Sequence, residues 1–181
     1  WGPITRAPSL LDGDGGFPRT VADLWDHADL DEVHRELVAQ IERAILWGFD
    51  VSHLDSHLGT LIKKPEFFDV YLELAIEYSL PLRLPGAAEQ DAVGFPFRDR
   101  AVEEGVVAPD HLVRRVVVGG RDALDRAVGS LAPGVTELVL DPALDTPELR
   151  AFSSTWRARV DDYGLVAPGG PLLDRLAAAG A

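Results

Sequence analysis

The feature that most limits the fold of this chain is the alternation of helical segments and short apolar segments from residue 31 onward. Apolar residues recur every three or four positions from Asp31 to Trp47, which predicts an amphipathic helix that Gly48 ends. A second helix is predicted to begin at Pro65, because proline suits a first helical turn and Glu66 lies near its positive end. Apolar or β-branched segments predict strands at 50–58, 79–85, 114–118 and 136–140.

Further helices are predicted from Thr20 to about His27, over Arg121–Leu131, from Thr146 to about Asp162, and near the end through Leu172, Leu173 and Leu176. Between 95 and 105 the pattern is ambiguous. Because strands separated by helices of ten or more residues imply parallel crossover connections, this order predicts an α/β fold. With 181 residues and 46% apolar composition, residues 1–181 fit a single domain.

The charge balance excludes several classes of partner. Seventeen Lys and Arg against 30 Asp and Glu give a net charge of −13, whereas phosphate binding needs clustered cations. The same balance argues against an anionic membrane surface, and no run approaches the roughly 18 apolar residues of a bilayer span. The absence of cysteine excludes disulfides, thiolate metal sites and a cysteine nucleophile. We therefore expect an acidic cytoplasmic protein.

The predicted strand at 50–58 carries the densest cluster of ionisable residues. Alternate residues of a strand lie on one face, so His53, Asp55 and His57 are expected to share a face, with Leu54 and Leu58 on the other. Three ionisable groups on a buried strand are costly unless a partner such as a divalent metal compensates them. The two histidines would be about 13 Å apart on an extended strand, so we assign the metal ligand to His57 alone. The competing interpretation is a set of hydrogen-bonded polar residues near a strand end.

Two other charged residues lie near the ends of predicted strands. The guanidinium fork of Arg83 would hold an anionic or polyhydroxylated substrate, or would pair with one of the 30 carboxylates. Asp141 follows the last predicted strand, where it would act at the same rim or begin the turn before Pro142. Both interpretations stay open for each residue.

Together these motifs resemble the YdjC/ChbG family of carbohydrate deacetylases, whose members remove acetyl groups from N-acetylated sugars such as chito-oligosaccharides. The resemblance spans almost the whole chain, and HLDSH at 53–57 is its most specific part. The other matching segments are APSLLD at 7–12, GGF at 15–17, the helix from Glu36 to Gly48 with QIERAILWG, PLR at 81–83 and LVLDPALDTPELRA at 138–151.

The resemblance implies an incomplete or irregular (β/α) TIM-like barrel with parallel strands. It also implies a divalent metal ion, Mg or Zn, bound by one Asp of an N-terminal Asp-Asp motif and by two His, the last His of HLDSH corresponding to His57. The Asp-Asp motif and the other His have no counterpart in this sequence, which begins at Trp1 and contains no methionine. We therefore expect an N-terminal portion with the first strands to be absent from it.

The function that the resemblance implies is metal-dependent deacetylation of an N-acetylated sugar or oligosaccharide. His57 would hold the metal, Arg83 and His53 would hold substrate, and Asp55 would orient the reacting groups, while the N-terminal Asp accepts the proton of water. The family usually has His-Pro at the late motif, and that His protonates the leaving amine. Here Asp141 stands in its place and would have to do that work.

Two alternatives stay open. A catalytically impaired sugar-binding or regulatory relative would keep the barrel and the cleft, and the exchange of His for Asp141 favours it. A metal-dependent hydrolase of another ester or amide would use the same scaffold. We expect a small-molecule or oligosaccharide substrate, no nucleic-acid or membrane partner, and a homodimer as a possible assembly.

Overall fold

The computed structural model describes residues 1–114 and 121–180. The helices of these residues are α1 (Val21–His27), α2 (Leu30–Leu46), α3 (Pro65–Tyr78), α4 (Ala87–Val93), α5 (Phe97–Glu103), α6 (Arg121–Gly129), α7 (Pro147–Phe152), α8 (Trp156–Val166) and α9 (Leu172–Ala179). The strands are β1 (His111–Arg114) and β2 (Thr136–Val139). Among the described residues, no helix is both long enough and apolar enough to cross a bilayer.

Local sequence explains the two long helices, α2 and α3, and both were predicted. The side chain of Asp29 accepts a hydrogen bond from the backbone N–H of Glu32, which caps the start of α2. Pro65 occupies the first turn of α3, where its missing N–H is not needed. This helix ends at Ser79, whose left-handed backbone (φ 53°, ψ 43°) stops further helical hydrogen bonding.

A cluster of aromatic rings forms the centre of one core. Phe68 is fully buried, and its ring centroid lies 5.5 Å from that of Phe95, 6.2 Å from that of Phe97 and 6.4 Å from that of Tyr71. Tilted and edge-to-face ring contacts at these distances are favourable beyond the area they bury. Because Phe68 belongs to α3 and Phe97 to α5, the cluster holds these two helices together.

The prediction of parallel pairing is confirmed. β1 and β2 run parallel, with His111 opposite Thr136 and Arg114 opposite Val139. The observed β2 matches the predicted strand at 136–140. β1 begins before the strand predicted at 114–118, and residues 115–118 of that prediction lie outside the described residues.

The predicted strands at 50–58 and 79–85 are wrong as continuous strands. Only Leu54 and Leu82 pair, in a single parallel bridge. The backbone N–H of Leu82 donates instead to Val107 O at 2.9 Å. The flanking residues Pro81 and Pro85 have no N–H to extend a ladder, which explains why the pairing stops at one bridge.

The C-terminal half of the chain also differs from the prediction in its helices. The single helix predicted from Thr146 to about Asp162 is two helices, α7 and α8, with a break at 153–155. That break consists of Ser153, Ser154 and Thr155, which favour caps and turns over helix interiors. The ambiguous region 95–105 contains α5, and α4 has no counterpart among the predicted elements.

The described residues form two compact units, Trp1–Ala108 and Pro109–Ala181. The first contains the aromatic core, and the described core residues of the second include Val128, Leu165 and Leu172. The structure is thus a mixed helix and sheet fold with parallel strand pairing. Its described strands amount to one pair and one bridge, so the TIM-like barrel and the single domain over 1–181 stay predictions.

Candidate functional site

The segment HLDSH, residues 53–57, is held in place through the main chain of Leu54. Its N–H donates to Pro81 O at 2.9 Å, and its carbonyl accepts from the N–H of Arg83 at 2.9 Å. The same carbonyl also accepts from the hydroxyl of Tyr71 at 2.7 Å. The motif is therefore fixed against both the following apolar segment and helix α3.

The expected burial of the three ionisable residues is wrong. His53, Asp55 and His57 are all exposed, and the segment that carries them is not a regular strand. The buried residue of the motif is Ser56, with 4% of its surface exposed, and its Oγ accepts a hydrogen bond from the N–H of Leu61 at 2.9 Å. Exposed and less exposed residues do alternate along the motif. The side that carries His53, Asp55 and His57 is nevertheless open to solvent, because the segment pairs with its neighbour through one bridge only.

The chain turns immediately after the motif. Leu58 adopts a left-handed backbone (φ 57°, ψ 10°), and its side chain is 63% exposed rather than facing inward with Leu54. The carbonyl of His57 accepts hydrogen bonds from both the N–H and the Oγ1 of Thr60, at 3.2 and 2.8 Å. Residues with a Cβ rarely adopt such a backbone, and strain of this kind is often found at functional sites.

Asp55 and Arg83 form an ion pair. The guanidinium Nη1 lies 2.8 Å from the Asp55 carboxylate, with 20% of the Arg83 side chain and 40% of the Asp55 side chain exposed. The sequence left two interpretations open for Arg83, and the structure shows that it pairs with a carboxylate, that of Asp55. Substrate binding by Arg83 stays a prediction.

His57 lines a cleft of about 420 Å³ within the unit Trp1–Ala108. Its imidazole packs against the indole of Trp1, with ring centroids 5.3 Å apart and planes inclined at 46°. Asp55 lines the same cleft, whereas His53 is absent from the described residues around it. His53 instead has its Nδ1 3.0 Å from Ser52 Oγ. The cleft walls are largely apolar and include Leu10, Phe17, Leu24, Val33, Leu37 and Leu61.

A buried carboxylate, Glu36, also lines this cleft and was not predicted as a site residue. It is only 2% exposed, and it accepts hydrogen bonds from the N–H groups of Ile4 and Thr5, the Thr5 hydroxyl and the Gln40 amide at 2.6–3.0 Å. Burial acts to raise the pKa of Glu36, but these hydrogen bonds outweigh it and hold the pKa below its ordinary value. The available signal was an acid beside Val33 and Leu37 on the apolar face of α2.

Asp141 belongs to the other unit, Pro109–Ala181. Its side chain is exposed directly after β2, and its backbone N–H donates to the carboxylate Oδ2 of Asp162 at 3.0 Å. Residues 140–146 have no assigned turn, so both interpretations of Asp141, as a turn residue and as a group in proton transfer, stay predictions. The structure brings Asp55, His57 and Arg83 together in the first unit, whereas Asp141 belongs to the second.

The described side chains fit a metal centre only in part. His57 offers one imidazole to the cleft, but nowhere in residues 1–114 and 121–180 do three or more His, Asp or Glu side chains gather as a metal would require. Glu36 is occupied by its hydrogen bonds, and Asp55 by Arg83. The residues present therefore do not complete a metal site by themselves.

The arrangement nevertheless has the chemistry of a polar substrate site. An exposed imidazole can bind a metal or form hydrogen bonds with a ligand. The carboxylate and guanidinium of the Asp55–Arg83 pair can accept from and donate to sugar hydroxyls. Trp1, Asp55 and His57 line a concave site of the size that small ligands occupy, and Arg83 is attached to it through its ion pair with Asp55.

Two curated proteins of similar sequence are both carbohydrate deacetylases. A carbohydrate deacetylase of Thermus thermophilus is 36% identical over 166 residues, which cover 89% of this chain and 62% of that protein. A carbohydrate deacetylase of Vibrio vulnificus (strain YJ016) is 31% identical over 161 residues, covering 87% of this chain and 59% of that protein. The chain thus spans about three fifths of the length of these curated relatives.

A solved structure supports the same fold. The crystal structure of a candidate cellobiose-phosphate cleavage protein from Enterococcus faecalis V583 aligns with a TM-score of 0.78, covering 99% of this chain and 69% of that one. The two sequences are 23% identical, so the likeness concerns the fold alone. A family described as YdjC-like protein matches residues 2–167, nearly the whole chain. The chain therefore belongs to the YdjC-like family.

Proposed function

We propose that this chain is part of a carbohydrate deacetylase that hydrolyses the acetamide of an N-acetylated sugar or oligosaccharide. The observation that carries the proposal is the 36% identity to a carbohydrate deacetylase over 89% of the chain. The position of His57 and Asp55 on one cleft supports it, since a hydrolase needs polar groups that converge on a concave site. We further propose that the parallel strands belong to an irregular TIM-like barrel.

In this proposal each residue has a definite role. Water adds to the acetyl carbonyl and gives a proton to a carboxylate, which the resemblance implies is an N-terminal Asp; the carbon–nitrogen bond then breaks, and the products are acetate and the amino sugar. Asp55 orients the reacting groups, and Arg83 and His53 hold the sugar through its hydroxyls. Asp141 donates a proton to the departing nitrogen, as general acid catalysis requires.

A divalent ion, Mg or Zn, is part of the proposal, with His57 as one ligand. When bound, such an ion polarises a carbonyl and favours ionisation of a bound water. No three His, Asp or Glu side chains gather among the described residues, so the proposal needs at least one ligand from outside them. The described residue that we assign as a ligand is His57, positioned by the turn at Leu58 and by contact with Trp1.

One observation favours a second candidate function. The chain has Asp141 before Pro142, where the resemblance leads us to expect His. A relative that lacks an effective proton donor would bind the sugar without releasing acetate, and it would serve as a sugar-binding or regulatory protein.

The test is acetate release by the full-length protein from a panel of N-acetylated mono- and oligosaccharides, with O-acetylated sugars as a comparison. We expect release from at least one N-acetyl sugar, and metal analysis to find a divalent ion. Sugar binding without acetate release would favour the second candidate. Release from O-acetyl esters alone would point to another hydrolase on this scaffold.

A further inference from the structure

Residues 141–143, in the loop that follows β2, are hydrogen-bonded to helix α8 at both ends. The N–H of Asp141 donates to Asp162 Oδ2 at 3.0 Å, and the N–H of Ala143 donates to Arg159 O at 3.0 Å. Pro142 lies between them and has no N–H. Both backbone N–H groups of residues 141–143 therefore donate to α8, which fixes the position of this segment.

Asp162 is an unusual residue to find below this loop. It is 0% exposed and lies three residues before Leu165, on the face of α8 that is turned to the core of its unit. Its second oxygen, Oδ1, has no hydrogen-bond partner among the described residues, and the Nε of Arg159 is buried in the same condition. A half-satisfied buried carboxylate is costly, so a purely structural position would favour an apolar side chain.

The hydrogen bond from the N–H of Asp141 offsets part of the cost of burying the Asp162 carboxylate. A carboxylate that accepts from a backbone N–H makes a charge-assisted hydrogen bond, which is stronger and more directional than a neutral one. A group that transfers a proton must be held to within a fraction of an ångström, and supporting residues commonly provide this. Asp162 is placed to do so for Asp141, because its carboxylate binds the main-chain N–H of that residue.

We propose that Asp162 is the positioning residue for the Asp141 carboxylate in acetamide cleavage, which rests on the function proposed above. Its role is to fix the main chain of Asp141, and it touches no substrate itself. The proposal predicts that loss of Asp162 impairs the chemical step through Asp141 and leaves sugar binding largely intact.

The first measurement is backbone hydrogen exchange of residues 140–144 in the full-length protein. In Asp162→Ala the amide of Asp141 loses its acceptor, so its exchange should become at least about tenfold faster, while Asp162→Asn keeps an acceptor oxygen and most of the protection. Asp161→Ala is the matched control, since Asp161 is the exposed neighbour on the same helix. Equal exchange in Asp162→Ala and wild type would overturn the proposal.

The second measurement is the kinetics of acetate release. We expect Asp162→Ala to lower kcat about tenfold or more with KM within about threefold, and Asp162→Asn to recover most of the rate. In an Asp141→Asn background, Asp162→Ala should cause no further loss, because both changes act on one proton transfer. Additive losses, or an unchanged kcat in Asp162→Ala, would overturn the positioning role.

Failure of the underlying function is distinguishable from these results. If the wild-type protein releases no acetate from any substrate, the proposed function fails, whereas the exchange experiment still decides whether Asp162 fixes the loop. If Asp162→Ala does not fold, Asp162→Leu replaces it in the Asp141→Asn cycle, because this side chain has the same branched shape, suits a buried position and offers no acceptor to the N–H of Asp141.

Discussion

His53 and His57 differ in their surroundings although they are four residues apart in one motif. His57 faces the cleft and packs on Trp1, whereas His53 is exposed beside Ser52. The prediction of His57 as the ligand used the spacing of residues on a strand, but the segment is not a regular strand. The choice of His57 is therefore a prediction that now depends on the cleft.

We expect His57→Ala to abolish or strongly reduce binding of a divalent ion by the full-length protein, because a ligand is lost. His53→Ala should reduce it much less, and it serves as the matched control. Isothermal titration with Zn²⁺ and with Mg²⁺ measures both. Equal losses in the two variants would show that the ligand was assigned to the wrong histidine.

Arg83 belongs to a partly exposed ion pair, and such pairs contribute little to stability, about 0–1 kcal/mol. We therefore expect Arg83→Gln to leave the melting temperature almost unchanged while raising KM for the N-acetyl sugar about tenfold, if Arg83 holds substrate. Arg100→Gln is the control, since Arg100 pairs with Asp69 between α3 and α5. An unchanged KM in Arg83→Gln would leave the pair as a structural contact only.

At the scale of elements, α2 does more than supply an apolar face. Through Glu36 it binds the backbone of residues 4 and 5, and through Glu32 it binds Ser9, whose N–H and hydroxyl donate at 2.8 and 2.7 Å. These carboxylates fix an irregular N-terminal segment that has little regular structure of its own. Trp1, which contacts His57, is part of that segment.

We expect Glu36→Gln to lower the free energy of unfolding by about 1–3 kcal/mol at neutral pH, because it weakens charge-assisted bonds to buried donors. The pKa of Glu36 is lowered in the folded state from 4.5. Its stabilisation is therefore complete above that value and is lost as the pH falls through the lower folded pKa. Urea unfolding from pH 7 to pH 3 measures this, and the difference between wild type and Glu36→Gln should shrink on acidification.

The matched control is Glu42→Gln, an exposed glutamate on the same helix. It should change stability by less than about 0.5 kcal/mol at every pH. A difference between wild type and Glu36→Gln that stays constant down to pH 3 would contradict the assigned cause.

The secondary-structure elements also show how much of the fold could be predicted from the sequence. Helices with clear periodicity and caps, such as α2 and α3, were predicted within a residue or two, because their signals are local. The segment 50–58 was not, since alternation indicates which side chains face inward but not whether a neighbouring backbone offers a ladder. Pro81 and Pro85 were visible in the sequence and could have reduced that prediction to a bridge.

Site prediction has the same limit. HLDSH was found because its ionisable residues lie close together in sequence. The main-chain groups that donate to Glu36, in contrast, lie 31 and 32 residues away from it. Asp162 is a second example, since no residue pattern near it in sequence indicates that its side chain binds the main chain of Asp141. Long-range hydrogen bonds to main-chain groups leave no pattern that periodicity detects.

At the scale of the whole molecule, the two units are built on different core residues. The unit Trp1–Ala108 contains the four-ring cluster around Phe68, and the described core residues of the unit Pro109–Ala181 include Val128, Leu165 and Leu172. The motif 53–57 belongs to the first of these units. Its geometry therefore depends on the packing of α3 beneath it.

Phe68→Ala should lower the free energy of unfolding by about 3–5 kcal/mol, because it leaves a cavity among three rings. We expect the loss of hydrogen-exchange protection to be concentrated in residues 1–108. Leu173→Ala is a control, since Leu173 is 77% exposed and its truncation removes little packing. Protection that falls equally in both units would contradict this division.

The carbonyl of Leu54 accepts both the N–H of Arg83 and the hydroxyl of Tyr71. Main-chain groups are present whatever residue occupies a position, so these bonds tolerate exchange of the side chain at 54. Residues 53, 55 and 57 can accordingly vary in chemistry over evolution while their spacing and direction persist. New substrate preferences on this scaffold would then arise by replacing the exposed side chains, with the underlying attachment left as it is.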